Sequence, residues 1–456
     1  MSAPPPKKPR PPLPEGPFLV VGMARSGCAA ARLLAQRGED VRGVDSGHPD
    51  EAAGLRGEGV EVVLDTDGLA LLDGTRTVVK SPGVPREAPV IAAALERGID
   101  VVGELELAWR AIPNRFLAVT GTNGKTTVAE LLGHVYRSAG EPVAVAGNVG
   151  TPLASLAAEV EPDATVVCEA SSFQLEDSLE FAPECAVFLN LAPDHLDRHK
   201  DLDSYRAAKL RIFANQGNDD VAVYNADEPA LAGVDLGGCA RRISFCVGAA
   251  PDCEVSVGEG TIFYEGEPLL RVSELGPFGA HNVANAMAAA AAAMAMGIDR
   301  DGVREGLRSF AGVPHRLEQV AEIDGVRFVN DSKATNVASA TVGLRAFDGG
   351  VHAILGGSEK GEDFAPLADP VREACAAVYL TGASAERLAE ALAPVIAEGI
   401  ALHRCEDLED AVRHAAAAAR EGEVVLLSPA CASFDAFDDF EQRGDRFREI
   451  VKELGS

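Results

Sequence analysis

The sequence predicts an α/β protein of about three domains, and three observations carry that reading. At 456 residues the chain is too long for one hydrophobic core. Apolar strand-like runs alternate with helical ones almost throughout, the pattern of parallel sheets covered by helices. Two of the strands run straight into glycine-rich turns that open helices, at Gly22–Gly27 and at Gly121–Lys125. No fixed-period repeat is visible.

The first unit starts with a strand at Phe18–Val21, then the Gly22 turn and a helix from about Cys28 to Gln36. A second strand, Asp40 to Val44, ends at Asp45, and Val78-Val79 runs into a Ser81-Pro82-Gly83 turn. The second unit opens with a strand at Phe116–Thr120, followed by the Gly121 loop and a helix to about Ala139. Further strands are expected at Thr165–Cys168 and Ala186–Leu189, then a β-rich stretch from Ala240 to Val272 and a helix over Asn282–Met296. The third unit carries strands near Val326–Val329, Ala353–Leu355, Ala377–Leu380 and Val424–Leu427. Boundaries fall near residues 111 and 313.

Composition narrows the function. Hydrophobic residues make up 47% and charged residues 24%, as in globular proteins. A net charge of −29 excludes a general nucleic-acid binder. It leaves room for small anionic substrates, because a few basic residues can make one cleft positive. The cysteines number nine, with no Cys-x-x-Cys pair, and are expected to be reduced thiols in a cytoplasmic protein. Residues 1–16 are proline-rich, carry Lys7, Lys8 and Arg10, and lack an apolar signal stretch, so a disordered tail is expected. The run Ala286–Met296 is about half a membrane span, and no membrane insertion is expected.

The strongest motif is Gly121-Thr122-Asn123-Gly124-Lys125-Thr126-Thr127, set between an apolar strand and a helix. Backbone N–H groups and the positive helix end there can hold phosphates. Lys125 can reach the β- and γ-phosphates, and the Thr126 hydroxyl can ligate Mg²⁺. Val119 stands where the usual loop has its first glycine. The Gly22–Gly27 turn, with Asp45 about 20 residues on, imitates a dinucleotide fingerprint, although Ala24 breaks it. It fits a nicotinamide cofactor, another diphosphate or a purely structural turn. Glu169 ends a strand and is either solvated or faces the loop's magnesium. Asp194–His199 is a polar cluster, structural or functional. Asn282 and Asn285, three apart on a helix, face the same way and suit a purine edge or a helix start. His315-Arg316, Asp331–Lys333, Gly356–Lys360 and Ser428–Ser433 adjoin strands, whose carboxyl ends collect ligands in open α/β sheets.

Together these strings resemble the Mur ligase family over about residues 17 to 456. The matching strings are the Gly121–Thr126 loop, Glu169–Leu175, Asp194–Arg198, Ala207–Arg211, His281–Ala286, His315-Arg316 and Asn330–Asn336. The ending Leu427–Asp435, with Phe440-Glu441-Gln442-Arg443-Gly444, is similar to the D-glutamate-adding branch, and no Asp-Asn-Pro-Arg string occurs.

The resemblance implies a Rossmann-like UDP-binding domain over 17–110, a central P-loop ATPase domain over 111–312 and a Rossmann-like C-terminal domain over 313–456. It implies an ATP-dependent ligase that joins D-glutamate to UDP-N-acetylmuramoyl-L-alanine through an acyl phosphate, in peptidoglycan precursor synthesis. The catalytic residues would be Lys125, His195, Lys209 and Lys333. ATP would be held by Gly121 to Thr127, Asn282, Asn285, Arg316 and Asp331. The UDP substrate would meet Ser26, Asp45, Ser81, Gly83, Asn148, Ser171 and His195. D-Glutamate would meet Thr335, Lys360, Ser433, Phe434 and Phe440. Two Mg²⁺ sites are implied, drawing on Thr126, Glu169, His195 and Lys209, the last as a carbamate. A cytoplasmic monomer is expected. Competing expectations are another Mur-type or folylpolyglutamate-type ligase and a non-catalytic nucleotide sensor.

Overall fold

Three parallel-rich sheets organise the computed structural model, which describes residues 4–148, 150–192, 194, 198–248, 253–276, 280–358 and 363–455. The first sheet has the order β3-β2-β1-β4-β5, with β1 at Phe18–Val21, β2 at Val41–Val44, β3 at Glu61–Val63, β4 at Thr77–Lys80 and β5 at Asp100–Gly103. Its pairings are all parallel. The apolar Phe18-Leu19-Val20-Val21 run is buried at the centre, as a strand covered on both faces requires. The following helix, Arg25–Gln36, starts three residues earlier than expected, directly out of the Gly22 turn. Gly27 permits this, since a Cβ there would lie 1.8 Å from the Gly22 carbonyl oxygen.

The second sheet has nine strands in the order β14-β13-β12-β11-β10-β9-β6-β8-β7. These are β6 Phe116–Thr120, β7 Val143–Gly147, β8 Thr165–Glu169, β9 Cys185–Phe188, β10 Val221–Asn225, β11 Arg241–Cys246, β12 Val255–Gly258, β13 Thr261–Tyr264 and β14 Glu267–Arg271. Strand β6 lies between β8 and β9, parallel to both, so its carboxyl end is central. The alanine-rich helix Ala280–Ala295 packs near β9, β10 and β11, its small side chains allowing close approach.

The third sheet is β15-β16-β20-β17-β18-β19: Glu318–Ile323, Val326–Asn330, Val424–Leu427, Val351–Gly356, Cys375–Thr381 and Ala401–Arg404. Only β15 is antiparallel to its neighbour. The chain divides into two compact units, Met1–Phe310 and Ala311–Ser456. Within the first unit, buried charges join the two sheets' domains. Lys80 pairs with Asp177 at 2.7 Å, both nearly inaccessible. The Glu106 carboxylate accepts backbone N–H bonds from Leu179, Glu180 and Phe181. Among the described residues, no helix is long and apolar enough to cross a membrane.

Two expectations need correction. Residues 4–16 are not a free tail but lie along this first unit. Lys8 pairs with Asp220 at 2.7 Å, and Arg10 pairs with the buried Glu184 at 3.1 Å. The Arg10 guanidinium also stacks over Trp109 and Phe116. Proline-rich composition says little about such docking, because the partners lie far along the chain. The nine cysteines are not all thiols: Cys246 and Cys253 form a disulfide, while the other seven are free. Cys253 precedes β12, which pairs with the end of β11, and this brings the two Cα atoms to 6.2 Å, within bridging range.

Candidate active site

The phosphate loop leaves β6, whose five residues are all buried. Gly121 has φ +152° and Gly124, capping the helix Lys125–Ser138, has φ +85°, a conformation glycine adopts without strain. A Cβ on Gly124 would meet the Asn285 Oδ1 atom at 2.5 Å, so the asparagine amide sits directly on the loop. Asn285 is buried and donates to Asn282 Oδ1 at 3.3 Å, which places the predicted pair together. The Asn123 N–H donates to Asn190 Oδ1 at 2.8 Å. Lys125 Nζ donates to the Gly121 and Thr122 carbonyls at 3.1 and 2.8 Å. The half-buried Thr127 follows on the same helix.

Glu169, at the end of β8, is buried and accepts from the Thr126 hydroxyl at 2.8 Å and from Asn148 Nδ2 at 3.1 Å. A buried carboxylate beside a threonine hydroxyl is an oxygen donor set suited to a hard cation such as Mg²⁺. Lys209, on the helix Leu202–Ala214, is fully buried and donates to the Gly121 carbonyl at 2.7 Å. Its nitrogen also lies 4.5 Å from the centre of the Tyr205 ring. Burial, and then the nearby Lys125 charge, pull its pKa down to about 6, so the amine is largely neutral at neutral pH. His199, from the Asp194–His199 cluster, is buried, stacks on Phe173 and bonds to the Ser172 hydroxyl, a structural role.

A cavity of about 310 Å³ opens at the carboxyl ends of β1, β2 and β4, lined by Gly22, Asp45, Ser46, Gly83 and Val84 among others. This is the point where strand order reverses, the usual ligand crevice of such sheets. A second cavity shares Gly22, Asp45, Gly83 and Val84, adds Ser26 and Ser81, and reaches Asn148 and Gln174. Asp45 spends both oxygens on local N–H groups, accepting from Met23 at 2.6 Å and from Gly47 at 2.8 Å. These bonds fix its carboxylate at the wall of the crevice, with acceptor capacity left on each oxygen. Ser171, grouped with the UDP substrate, caps the helix Ser172–Glu176 in a reciprocal arrangement with Gln174.

The second unit carries its predicted residues at its own strand ends. Asp331 follows β16, is buried, and accepts from the Ser428 hydroxyl at 2.7 Å and the Leu317 N–H at 3.2 Å. Burial raises its pKa to about 7. Arg316 and Thr335 are half-buried nearby in the chain, and Lys333 Nζ lies 5.7 Å from the Phe440 ring centre. Ser433 is buried, whereas Phe434 is 70% exposed. His195 and Lys360 lie outside the described residues.

Several participants were not singled out from the sequence. Tyr205 sits one helical turn before Lys209, an i,i+4 spacing that carries a signal. Asn190 holds the loop from just beyond β9, as a strand-end residue can. Arg443 was noted only within a string, and its contacts could not be read from it.

This architecture defines a P-loop enzyme of three α/β domains, with a buried carboxylate and a buried lysine beside its phosphate loop. Family models match as the Mur ligase MurD-like N-terminal domain over residues 17–103, the Mur ligase middle domain over 119–293 and the Mur ligase glutamate ligase domain over 315–431. The chain belongs to the Mur ligase family, whose members are ATP-dependent enzymes that use Mg²⁺. It is 44% identical over 444 residues to the UDP-N-acetylmuramoylalanine--D-glutamate ligase of Pelotomaculum thermopropionicum, covering 96% of this chain and 97% of that one. The protein of the same name from Acidobacterium capsulatum is 41% identical over 447 residues, covering 95% of each. In fold it is similar to a UDP-N-acetylmuramate-alanine ligase from Thermotoga maritima, with TM-score 0.59 and 20% identity over 96% of this chain and 99% of the other.

Proposed function

We propose that this protein joins D-glutamate to UDP-N-acetylmuramoyl-L-alanine in peptidoglycan precursor synthesis, releasing ADP and phosphate. The observation that carries the proposal is the path from the first domain's crevice to the phosphate loop. The cavity running past Ser26, Ser81 and Gly83 ends at Asn148, whose amide bonds Glu169, which in turn bonds Thr126. A UDP-sugar seated in that crevice would present its far carboxylate beside the γ-phosphate.

A carboxylate accepts an amine only after activation, so the γ-phosphoryl group passes to it first, giving an acyl phosphate and ADP. The amine of D-glutamate then attacks the acyl carbon, and phosphate leaves. Because two anions meet in the first step, the residues act mainly by positioning and charge neutralisation. Lys125 and the loop N–H groups bind the phosphates. Thr126 and Glu169 would hold one Mg²⁺, and His195 with a Lys209 carbamate would hold a second, the ions supplying positive charge where the two anions meet. The neutral Lys209 amine forms that carbamate by attacking CO₂ and losing a proton. Asn282, Asn285, Arg316 and Asp331 bind ATP, with Lys333 near its phosphates. Thr335, Lys360, Ser433, Phe434 and Phe440 receive D-glutamate. The enzyme acts as a cytoplasmic monomer.

Substrate carrying heavy oxygen in its alanyl carboxylate tests the acyl phosphate. One labelled oxygen should appear in the released phosphate. Unlabelled phosphate would contradict the mechanism.

A further inference from the structure

The string Gln442-Arg443-Gly444 lies at the start of the last helix of the chain. Arg443 lies in the first turn of the helix Phe440–Leu454 and is 4% exposed. Among the described residues it forms no ion pair within 4 Å, and its hydrogen bonds go to neutral acceptors, with the Asp435 carboxylate acting on its charge from farther away. Its Nε donates to Ser332 Oγ at 2.9 Å, and its Nη2 donates to the Ser332 carbonyl at 2.9 Å and the Cys431 carbonyl at 3.1 Å. Its Nη1 donates to the Ala432 carbonyl at 3.2 Å. One rigid guanidinium thus fastens the loop after β16 to the loop after β20.

A third loop closes on the same point. The Ser358 N–H, after β17, donates to the Ala432 carbonyl at 2.9 Å. A Cβ on Gly357 would lie 2.1 Å from that carbonyl oxygen and 3.1 Å from Arg443 Nη1. Gly444 serves the neighbouring contact, since a Cβ there would lie 2.1 Å from His315 Nδ1. Burying an arginine without a carboxylate is costly unless its donors are satisfied. A planar fork of five donors can bind several carbonyls in fixed geometry, which a lysine ammonium cannot reproduce.

We propose that Arg443 is a positioning residue for the amino-acid substrate: it sets Ser433, next to its Cys431 and Ala432 anchors, against Lys333 and Thr335, next to its Ser332 anchor. This rests on the assignment of those residues to D-glutamate and phosphate binding. The guanidinium touches no substrate and acts through the loops it joins.

Steady-state kinetics on the full chain test it, with wild type measured first. Arg443→Met should raise KM for D-glutamate at least about tenfold, the scale of lost hydrogen bonds to a charged group. KM for the UDP substrate should stay within about twofold, because the first unit holds that ligand. Arg443→Lys should keep most of the defect. Millimolar guanidinium should partly restore Arg443→Ala, while methylammonium should not. Ser332→Ala removes one anchor, so it should show a smaller selective rise even where the arginine variants fail to fold. A parallel rise in both KM values, or an unchanged KM for D-glutamate, overturns the inference. Wild type inert with D-glutamate would instead sink the assignment of D-glutamate itself, and the inference with it.

Discussion

Lys209 Nζ donates a 2.7 Å hydrogen bond to the carbonyl of Gly121, tying the buried amine to the first residue of the phosphate loop. The two residues are 88 apart in sequence, and the helix Leu202–Ala214 brings them together. Burial and the neighbouring Lys125 charge both disfavour the protonated form of this amine.

Lys209 should therefore carry a carbamate. With its pKa lowered to about 6, the amine is neutral above that pH and can take up CO₂. Carbon-labelled bicarbonate should give a carbamate NMR signal that fades as pH falls through about 6 and is absent from Lys209→Ala. That variant should lose activity and regain part of it with short carboxylates. Full activity of Lys209→Ala with nothing added would contradict the carbamate.

The N-terminal segment should stabilise the first unit. Glu184 is wholly buried, accepts from the Phe116 N–H at 2.8 Å, and has Arg10 as its cationic partner at 3.1 Å. Arg10→Ala strands that carboxylate and should cost about 3–5 kcal/mol in urea unfolding. Adding Glu184→Gln should recover part of the loss. A cost below about 1 kcal/mol would mean that the segment is only loosely laid on the surface.

Asp331 should make the second unit pH-sensitive. Burial raises its folded pKa to about 7, above the unfolded value, so the folded state holds a proton that the unfolded state has lost. Its contribution is therefore full below about pH 4 and is lost as pH rises through about 7. Asp331→Asn cannot titrate, so its stability relative to wild type should climb over that window and then level off. Thermal melts of both proteins at several pH values check this. A constant difference would contradict the raised pKa.

The parts of this molecule that were legible in sequence are those made by neighbouring residues. Phe116–Thr120 followed by Gly121–Thr127 encodes strand, loop and helix within a few residues, and the structure has all three. The short edge strand Val143–Gly147 was not anticipated, because a brief run with small residues carries little periodicity. Arg10 with Glu184, Cys246 with Cys253, and Arg443 with Ser332 depend on how distant segments pack, or on a spacing that matches no motif. For residues 4–16 the composition even pointed the wrong way, since proline richness reports the lack of a helix and not the lack of partners.

The most direct test of the account is ADP release by the full-length protein with ATP, Mg²⁺ and UDP-N-acetylmuramoyl-L-alanine, measured across a panel of D- and L-amino acids. The account predicts release that requires the UDP substrate and is strongest with D-glutamate, together with a product heavier by one glutamyl residue. Equal or better turnover with L-glutamate or another amino acid, or release that ignores the UDP substrate, would contradict it.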